Sequence, residues 1–373
     1  MAVVLPIAGT RVMLIRPAAS QEEVRGRSPQ PILWITVPWR PVESFVAPGR
    51  LLPVMHGIAS DVVYGNAATR VLRGSALARR LRAEIAAARL HLERLGGAPP
   101  ILATLLVGRN APAEAYRASI VRTFAKVGIG HRAIELPANI SGAGLISAIS
   151  RLNDDLEVTG VLVLMPLPEH LAPATILEQL TPLKDVDGIT PTNAGRLHLG
   201  LPSLRPSTPA GGLELLDFHQ IHLPGTSITV VGRSNVVGRP LATLLTQRHA
   251  TVTLCHRQTV DLPAIVNAAD IVCVAAGHPG LITGAMVKRG ATVLDFGVNV
   301  SNDGMIVGDA DFDSLLGIAG AITPVPGGTG PVTALMLARN TISAAFAGLR
   351  GSLDDVLFEL PEAMVAHLGE PSP

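Results

Sequence analysis

Aromatic side chains are scarce in this 373-residue chain, with seven Phe, two Trp and two Tyr. Cysteine is nearly absent: Cys255 and Cys273 lie in strand-like apolar runs without metal-ligand spacing, which points to reduced core residues of a cytoplasmic protein. An excess of either charge is missing too. Lys and Arg number 30 against 29 Asp and Glu, so no basic stripe for nucleic acid is expected. Uninterrupted apolar runs are short, because Arg, Pro, Gly or Asp cuts each one before the roughly twenty residues of a membrane span. The pair His219 and His222 has no nearby Glu or Cys, so no metal site is expected.

What is present is a hydrophobic content of 48 % on a chain long enough for two domains. That combination fits parallel α/β sheets, whose strands are apolar on both faces. Residues 1–67 differ from the rest. They hold several prolines and both tryptophans, Trp34 and Trp39, with no sustained period. This extension is expected to be poorly ordered, and either an Arg-containing presequence or a start at Met55 is compatible with it. Ser75 is a candidate N-cap, and Leu77, Leu81, Ile85, Leu92 and Leu95 follow at helical spacing until Gly96-Gly97.

ILATLLVG, HRAIELP and VTGVLVLMPLP then read as strands alternating with helices, which defines a first α/β domain over 68–205. LKDVDGITPTNAGRL and LPSLRPSTPAGG read as loops at its boundary, and GLELLDFHQI as a helix after them. A second three-layer unit, Rossmann-like, spans 206–331. A helix over 332–349 closes it, and the tail 350–373 carries no readable chemistry.

SITVVGRSNVVGRPLATLL is strand, glycine turn and helix. It lacks the middle glycine of G-x-G-x-x-G but keeps Gly232 after the strand and Gly238 at the helix start, with Arg233 and Ser234 between them. Backbone N–H groups and a helix N-terminus there suit a pyrophosphate. A similar tripeptide, Gly26-Arg27-Ser28, has no strand–loop–helix context. The next strand ends in Cys255-His256-Arg257 without the carboxylate expected for NAD. Arg257 and Arg233 would instead pair with a 2′-phosphate, so the cofactor expected is NADP. Val298, in ATVLDFGVN, joins the expected nucleotide contacts.

GVLVLMPLP, KDVDG, NAGRL, VVGRSNVVGRP, TVTLCHR and ITPVPGGTGPVT, in that order, closely resemble motifs of the methylenetetrahydrofolate dehydrogenase/cyclohydrolase family, over roughly residues 70–347. The resemblance implies a folate-binding catalytic domain, an NADP domain, a folate cleft between them and a last helix that returns to the first domain. It also implies tetrahydrofolate derivatives as substrates, a homodimer formed through the nucleotide domains, and a loop, Pro324 to Pro331, lining the cleft with Pro324, Pro326, Gly327 and Gly328.

By the same resemblance, Tyr116 is the tyrosine of the family's Y-x-x-x-K and Asp187 the aspartate that holds the pterin. Ile120 stands at the lysine position and Leu164 at the glutamine position of the family's L-V-Q-L-P-L-P. Hydride removal from a carbon flanked by two nitrogens needs positioning above all. Hydrolysis of the methenyl ring needs acid–base work, typically about a hundred- to ten-thousandfold in rate. The expectation is therefore a dehydrogenase whose cyclohydrolase activity is weak or lost. An ordinary bifunctional enzyme, a non-catalytic NADP- or folate-binding paralogue, and an enzyme with a changed one-carbon substrate remain the alternatives.

Overall fold

The computed structural model describes residues 69–351 apart from residue 302, together with the backbone of residues 3–6 and 12–15. The chain divides into two units, residues 1–58 and 59–373. In the first, β1 (Val3–Pro6) pairs antiparallel with β2 (Val12–Ile15). The sequence shows no sustained period there, yet two short apolar runs rich in β-branched or long side chains suffice for a hairpin. The rest of the extension expected to be poorly ordered, with Met55, and the tail from residue 352 lie outside the described residues.

The second unit begins with β3 (Arg70–Val71), α1 (Ser75–Arg94), β4 (Ile101–Val107), α2 (Ala111–Val127), β5 (Gly130–Leu136), α3 (Gly142–Asp154), β6 (Gly160–Val163) and α4 (Pro173–Leu177). It continues through α5 (Pro191–His198), α6 (Ser207–Phe218), β7 (Ser227–Val231), α7 (Gly238–Gln247), β8 (Thr251–Cys255), α8 (Leu262–Ala268), β9 (Ile271–Val274) and β10 (Thr292–Asp295). The hairpin β11 (Asn299–Val300) and β12 (Ile306–Val307), α9 (Phe312–Leu315), β13 (Ala321–Ile322) and α10 (Gly330–Arg350) complete it.

The alternation in ILATLLV sorts itself onto two sides of the first sheet, as strand geometry requires. Leu102 and Leu106 enter the central core with Ile120 and Phe124 of α2, while Ala103, Leu105 and Val107 pack with Leu145 and Ile149 of α3. That sheet is parallel with strand order β5-β4-β6. The second sheet is also parallel, with order β3-β13-β10-β9-β7-β8. Its inner residues Ile228, Val230 and Cys273 join the central core, while Val231, Val272 and Val274 face a second cluster with Val266 of α8. Each sheet is thus covered on both faces, giving the expected pair of three-layer α/β arrangements.

Several local expectations need correction. Gly74 occupies the N-cap of α1, with no side-chain cap bond, and Ser75 is already helical. Leu77, Leu81, Ile85 and Leu92 are fully buried, whereas Leu95 falls past the helix end and is exposed. The stretches read as loops contain α5 and the start of α6. Pro191 and Pro209 lie in the first turns of those helices, where a missing N–H costs nothing. β3 pairs with β13 in the second sheet, although it falls within 68–205.

Helix α10 is long and apolar enough to cross a membrane by length and composition, although the sequence led to the expectation of no such window. Within the fold, 78 % of that window is buried. The helix packs against α1, α2 and α6. Arg339 at its centre is buried between Glu84 of α1 (3.1 Å) and Glu214 of α6 (2.5 Å).

Candidate functional site

Asn110 caps α2 by accepting from the Ala113 N–H at 3.0 Å, which starts the helix at the end of β4 and puts Tyr116 in its second turn. Tyr116 is 36 % exposed. Burial first, and the Asp187 carboxylate second, push its pKa well above the usual range for a phenol. The hydroxyl therefore stays protonated. One helical turn on, Ile120 is fully buried, and Leu164, just after β6, is 2 % exposed. Both belong to the central core. The two positions the resemblance marks as polar are dry.

Asp187 lies in the segment Lys184–Gly188, where each polar residue has its own task. Lys184 Nζ donates to the carbonyls of Leu152 (2.9 Å) and Asp155 (2.7 Å) at the end of α3. Asp185 is buried and accepts from the Thr190 N–H (2.7 Å) and Asn193 Nδ2 (2.9 Å) at the start of α5. Asp187 is half-buried. Its Oδ1 accepts from the Ser207 hydroxyl at 3.0 Å, at the N-terminus of α6. Burial, and the neighbouring Asp185 carboxylate, raise its pKa to about 7, against the pull of the Ser207 hydrogen bonds. Asn340 of α10 pins the same loop from behind by donating to the carbonyls of Val186 (2.7 Å) and Arg205 (2.8 Å).

Strands β8-β7-β9-β10-β13 have the doubly wound order 2-1-3-4-5, so the order reverses between β7 and β9. Ligands of such sheets bind outside the carboxyl ends at that point. Gly232 follows β7 there, and a Cβ on it would meet the Ala275 carbonyl oxygen at 2.0 Å. A Cβ on Gly238 would meet the Gly232 oxygen at 1.9 Å. Only glycine lets these three backbones approach so closely. Ser234 Oγ accepts from the N–H groups of Val237 (3.1 Å) and Gly238 (3.4 Å), so it caps the start of α7.

His256 and Arg257 adjoin the same turn, since the Gly232 N–H bonds the Cys255 oxygen at 3.0 Å. His256 itself shapes a turn: Nδ1 accepts from the Gln258 N–H at 3.2 Å. Arg233 and Arg257 are exposed, and neither has an ion pair or side-chain hydrogen bond among the described residues. Val298, past β10, is 73 % exposed.

The Pro324–Pro331 segment meets the start of α1. The Gly327 oxygen accepts from the Gly74 N–H at 2.9 Å, and the Gly328 N–H bonds the Pro324 oxygen at 2.8 Å. Pro324 and Gly328 are buried, Gly327 is half-buried and Pro326 is exposed after a cis Val325–Pro326 bond. Ser207, Asn340 and Asp309 were not found by sequence reasoning. Each has its partners far off in the sequence, and only the fold reveals its use. The cysteines are buried and free, with burial pushing the Cys273 thiol up to about 12.

Residues 72–187 match the tetrahydrofolate dehydrogenase/cyclohydrolase catalytic domain, and residues 206–348 match the NAD(P)-binding domain of the same family. The bifunctional protein FolD of Herpetosiphon aurantiacus is 50 % identical over 249 residues, which is 67 % of this chain and 87 % of the relative. The chain belongs to the tetrahydrofolate dehydrogenase/cyclohydrolase family. Among solved members, the bifunctional FolD of Campylobacter jejuni is 40 % identical with a TM-score of 0.72, covering 74 % of this chain and 99 % of that one. The Trypanosoma brucei enzyme, solved with NADP cofactor and inhibitor, is 35 % identical with a TM-score of 0.71, covering 76 % and 99 %.

Proposed function

We propose that this family member oxidises methylenetetrahydrofolate to methenyltetrahydrofolate with NADP, and that its hydrolysis of the methenyl product is weak or absent. The observation that carries the reading is the full burial of Ile120 one turn from Tyr116, with Leu164 in the same apolar core.

The crevice fits a dinucleotide. Gly232 and Gly238 allow the tight turn that brings the start of α7 to the carboxyl end of β7, and Arg233 and Arg257 stand without protein partners among the described residues. Bound there, NADP supplies the acceptor for the hydride lost by the folate carbon. The chain's own part in that step is to orient. Asp187, as its carboxylate, accepts pterin N–H groups, while the Pro324–Gly328 segment and the exposed Val298 border the space between the domains. The cation left by hydride loss is stabilised by the two nitrogens of the substrate, so no side chain has to move a proton.

Hydrolysis asks for more: a water must be activated and a ring nitrogen protonated. Ile120 and Leu164 can do neither, and the Tyr116 hydroxyl holds its proton too firmly to act as a base. A second reading, retained bifunctional chemistry, rests on one observation. Asp187 titrates at about 7, a range suited to proton transfer at neutral pH. The proposal extends to a homodimer, and to the cytoplasm, where the two buried free cysteines would stay reduced.

The test is a paired assay on the full-length protein, following NADP reduction with methylenetetrahydrofolate and, separately, decay of added methenyltetrahydrofolate. Reduction with decay no faster than the buffer rate is the expected result. Fast decay would transfer the assignment to the bifunctional reading. Nucleotide binding without either reaction would point to a non-catalytic member or a changed substrate.

A further inference from the structure

Asp309 is fully buried just past β12, and its carboxylate gathers four donors from two separate segments. Oδ2 accepts from the N–H groups of Ala276 (2.6 Å) and Gly277 (2.8 Å), and Oδ1 from the His278 N–H (2.9 Å). Three consecutive backbone N–H groups converging on one anion form a nest. The fourth donor is Asn299 Nδ2 at 2.8 Å, from the other side.

One segment borders the crevice between β7 and β9, and the other lies at the carboxyl end of the next strand, β10. Residues 275–278 follow β9, and Ala275 is the backbone against which the Gly232 turn packs. Residues 296–299 follow β10 and carry Val298. A second buried carboxylate, Asp295, extends the tie: it accepts from the N–H groups of Gly297 (2.7 Å), Asp309 (3.1 Å) and Ala310 (2.9 Å). Thr329, next to the Pro324–Gly328 segment, donates to the main-chain carbonyl of Asp295 at 3.2 Å. Among the described residues neither carboxylate has a Lys or Arg partner, so both spend their lone pairs on holding the loops in place.

We propose that Asp309 is a positioning residue for the nucleotide, setting the spacing between the loop after β9 and the loop after β10 through one carboxylate. The inference rests on the reading of this crevice as the dinucleotide site and does not depend on turnover. Asp309→Asn keeps the shape but turns an acceptor oxygen into an NH2 group facing backbone donors. Asn299→Ala leaves the nest intact and removes only the arm to the β10 side.

The experiment is NADP binding by titration calorimetry on the full chain, with KM for NADP and for methylenetetrahydrofolate and circular dichroism alongside. Asp309→Asn is expected to weaken NADP binding about tenfold or more, the scale of a lost charged hydrogen bond, and Asn299→Ala about threefold. The folate KM should stay within about twofold, whereas a loss of general stability alone would lower the active fraction, and so the apparent kcat, and leave both KM values unchanged. If Asp309→Asn fails to fold, Asn299→Ala decides. NADP affinities within about twofold of the parent in the folded variants, or equal shifts in both KM values, would overturn the proposal. A parent protein that binds NADP without turnover would sink only the catalytic reading. A parent that binds no dinucleotide would sink both.

Discussion

The Ser207 hydroxyl donates to Asp187 Oδ1 at 3.0 Å across the mouth of α6, so the residue expected to hold the pterin is itself held by a helix N-terminus. This bond favours the charged form of a carboxyl that burial and Asp185 push the other way. Ser207→Ala should therefore raise the Asp187 pKa further. The acid limb of kcat/KM for methylenetetrahydrofolate should move up by roughly half to one pH unit, matching about 1 kcal/mol of lost hydrogen bonding. Activity on the alkaline plateau should change little. A pH–rate profile that does not move would show that Asp187 is not the group titrating in substrate binding.

Stability should carry the same signature with a definite sign. Folding raises the Asp187 pKa from its ordinary 3.8 to about 7, so between those values the folded chain binds more protons than the unfolded one. Stability from this group is fully present below about pH 4 and declines as pH rises towards 7. Asp187→Asn removes that decline while keeping an acceptor for Ser207. Its melting midpoint should gain on the parent as pH rises from about 4 to about 7, at about 2–4 °C per kcal/mol for a domain of this size. Asp295, raised to about 6, behaves alike but is common to both proteins and cancels. A midpoint difference that shrinks with rising pH would contradict the assignment.

Ile120 and Leu164 offer the complementary test, since both belong to one core. Ile120→Lys with Leu164→Gln should accelerate methenyl hydrolysis, by about a hundredfold at the low end of acid–base catalysis. The cost is thermal: burying an ammonium where Ile120 is fully enclosed should lower the midpoint, most clearly in the single Ile120→Lys variant. A folded double variant with no gain in hydrolysis would mean that the missing side chains are not what limits it.

The legible parts of the chain are those whose partners are local or periodic. ILATLLVG declares a strand by its apolar run, and the Gly232 turn declares itself by strand, glycine and helix in series. Pro191 and Pro209 misled because a proline reads as a breaker wherever it stands, whereas the first helical turn has no N–H bond for it to break. The polar couplings were illegible for a different reason. Ser207 finds Asp187 across 20 residues and Arg339 finds Glu84 across 255, separations at which no spacing rule operates. Asp309 is the same case, with its nest assembled only when β9, β10 and the hairpin between β10 and β13 come together.

Arg233 and Arg257 bring the cofactor preference to a direct test. Both are exposed beside the Gly232 turn, and neither is engaged by a protein carboxylate among the described residues, so neither loses a structural partner on substitution. Arg233→Gln and Arg257→Gln should each lower kcat/KM with NADP by about tenfold, the scale of one charge-assisted hydrogen bond to a phosphate. The same variants should leave kcat/KM with NAD within about twofold, because NAD lacks the 2′-phosphate that the arginines are assigned to meet. The thermal midpoint should not change, as expected for surface groups outside any network. Equal losses with both nucleotides would place the arginines on the pyrophosphate instead, and no loss with either would return them to the solvated surface.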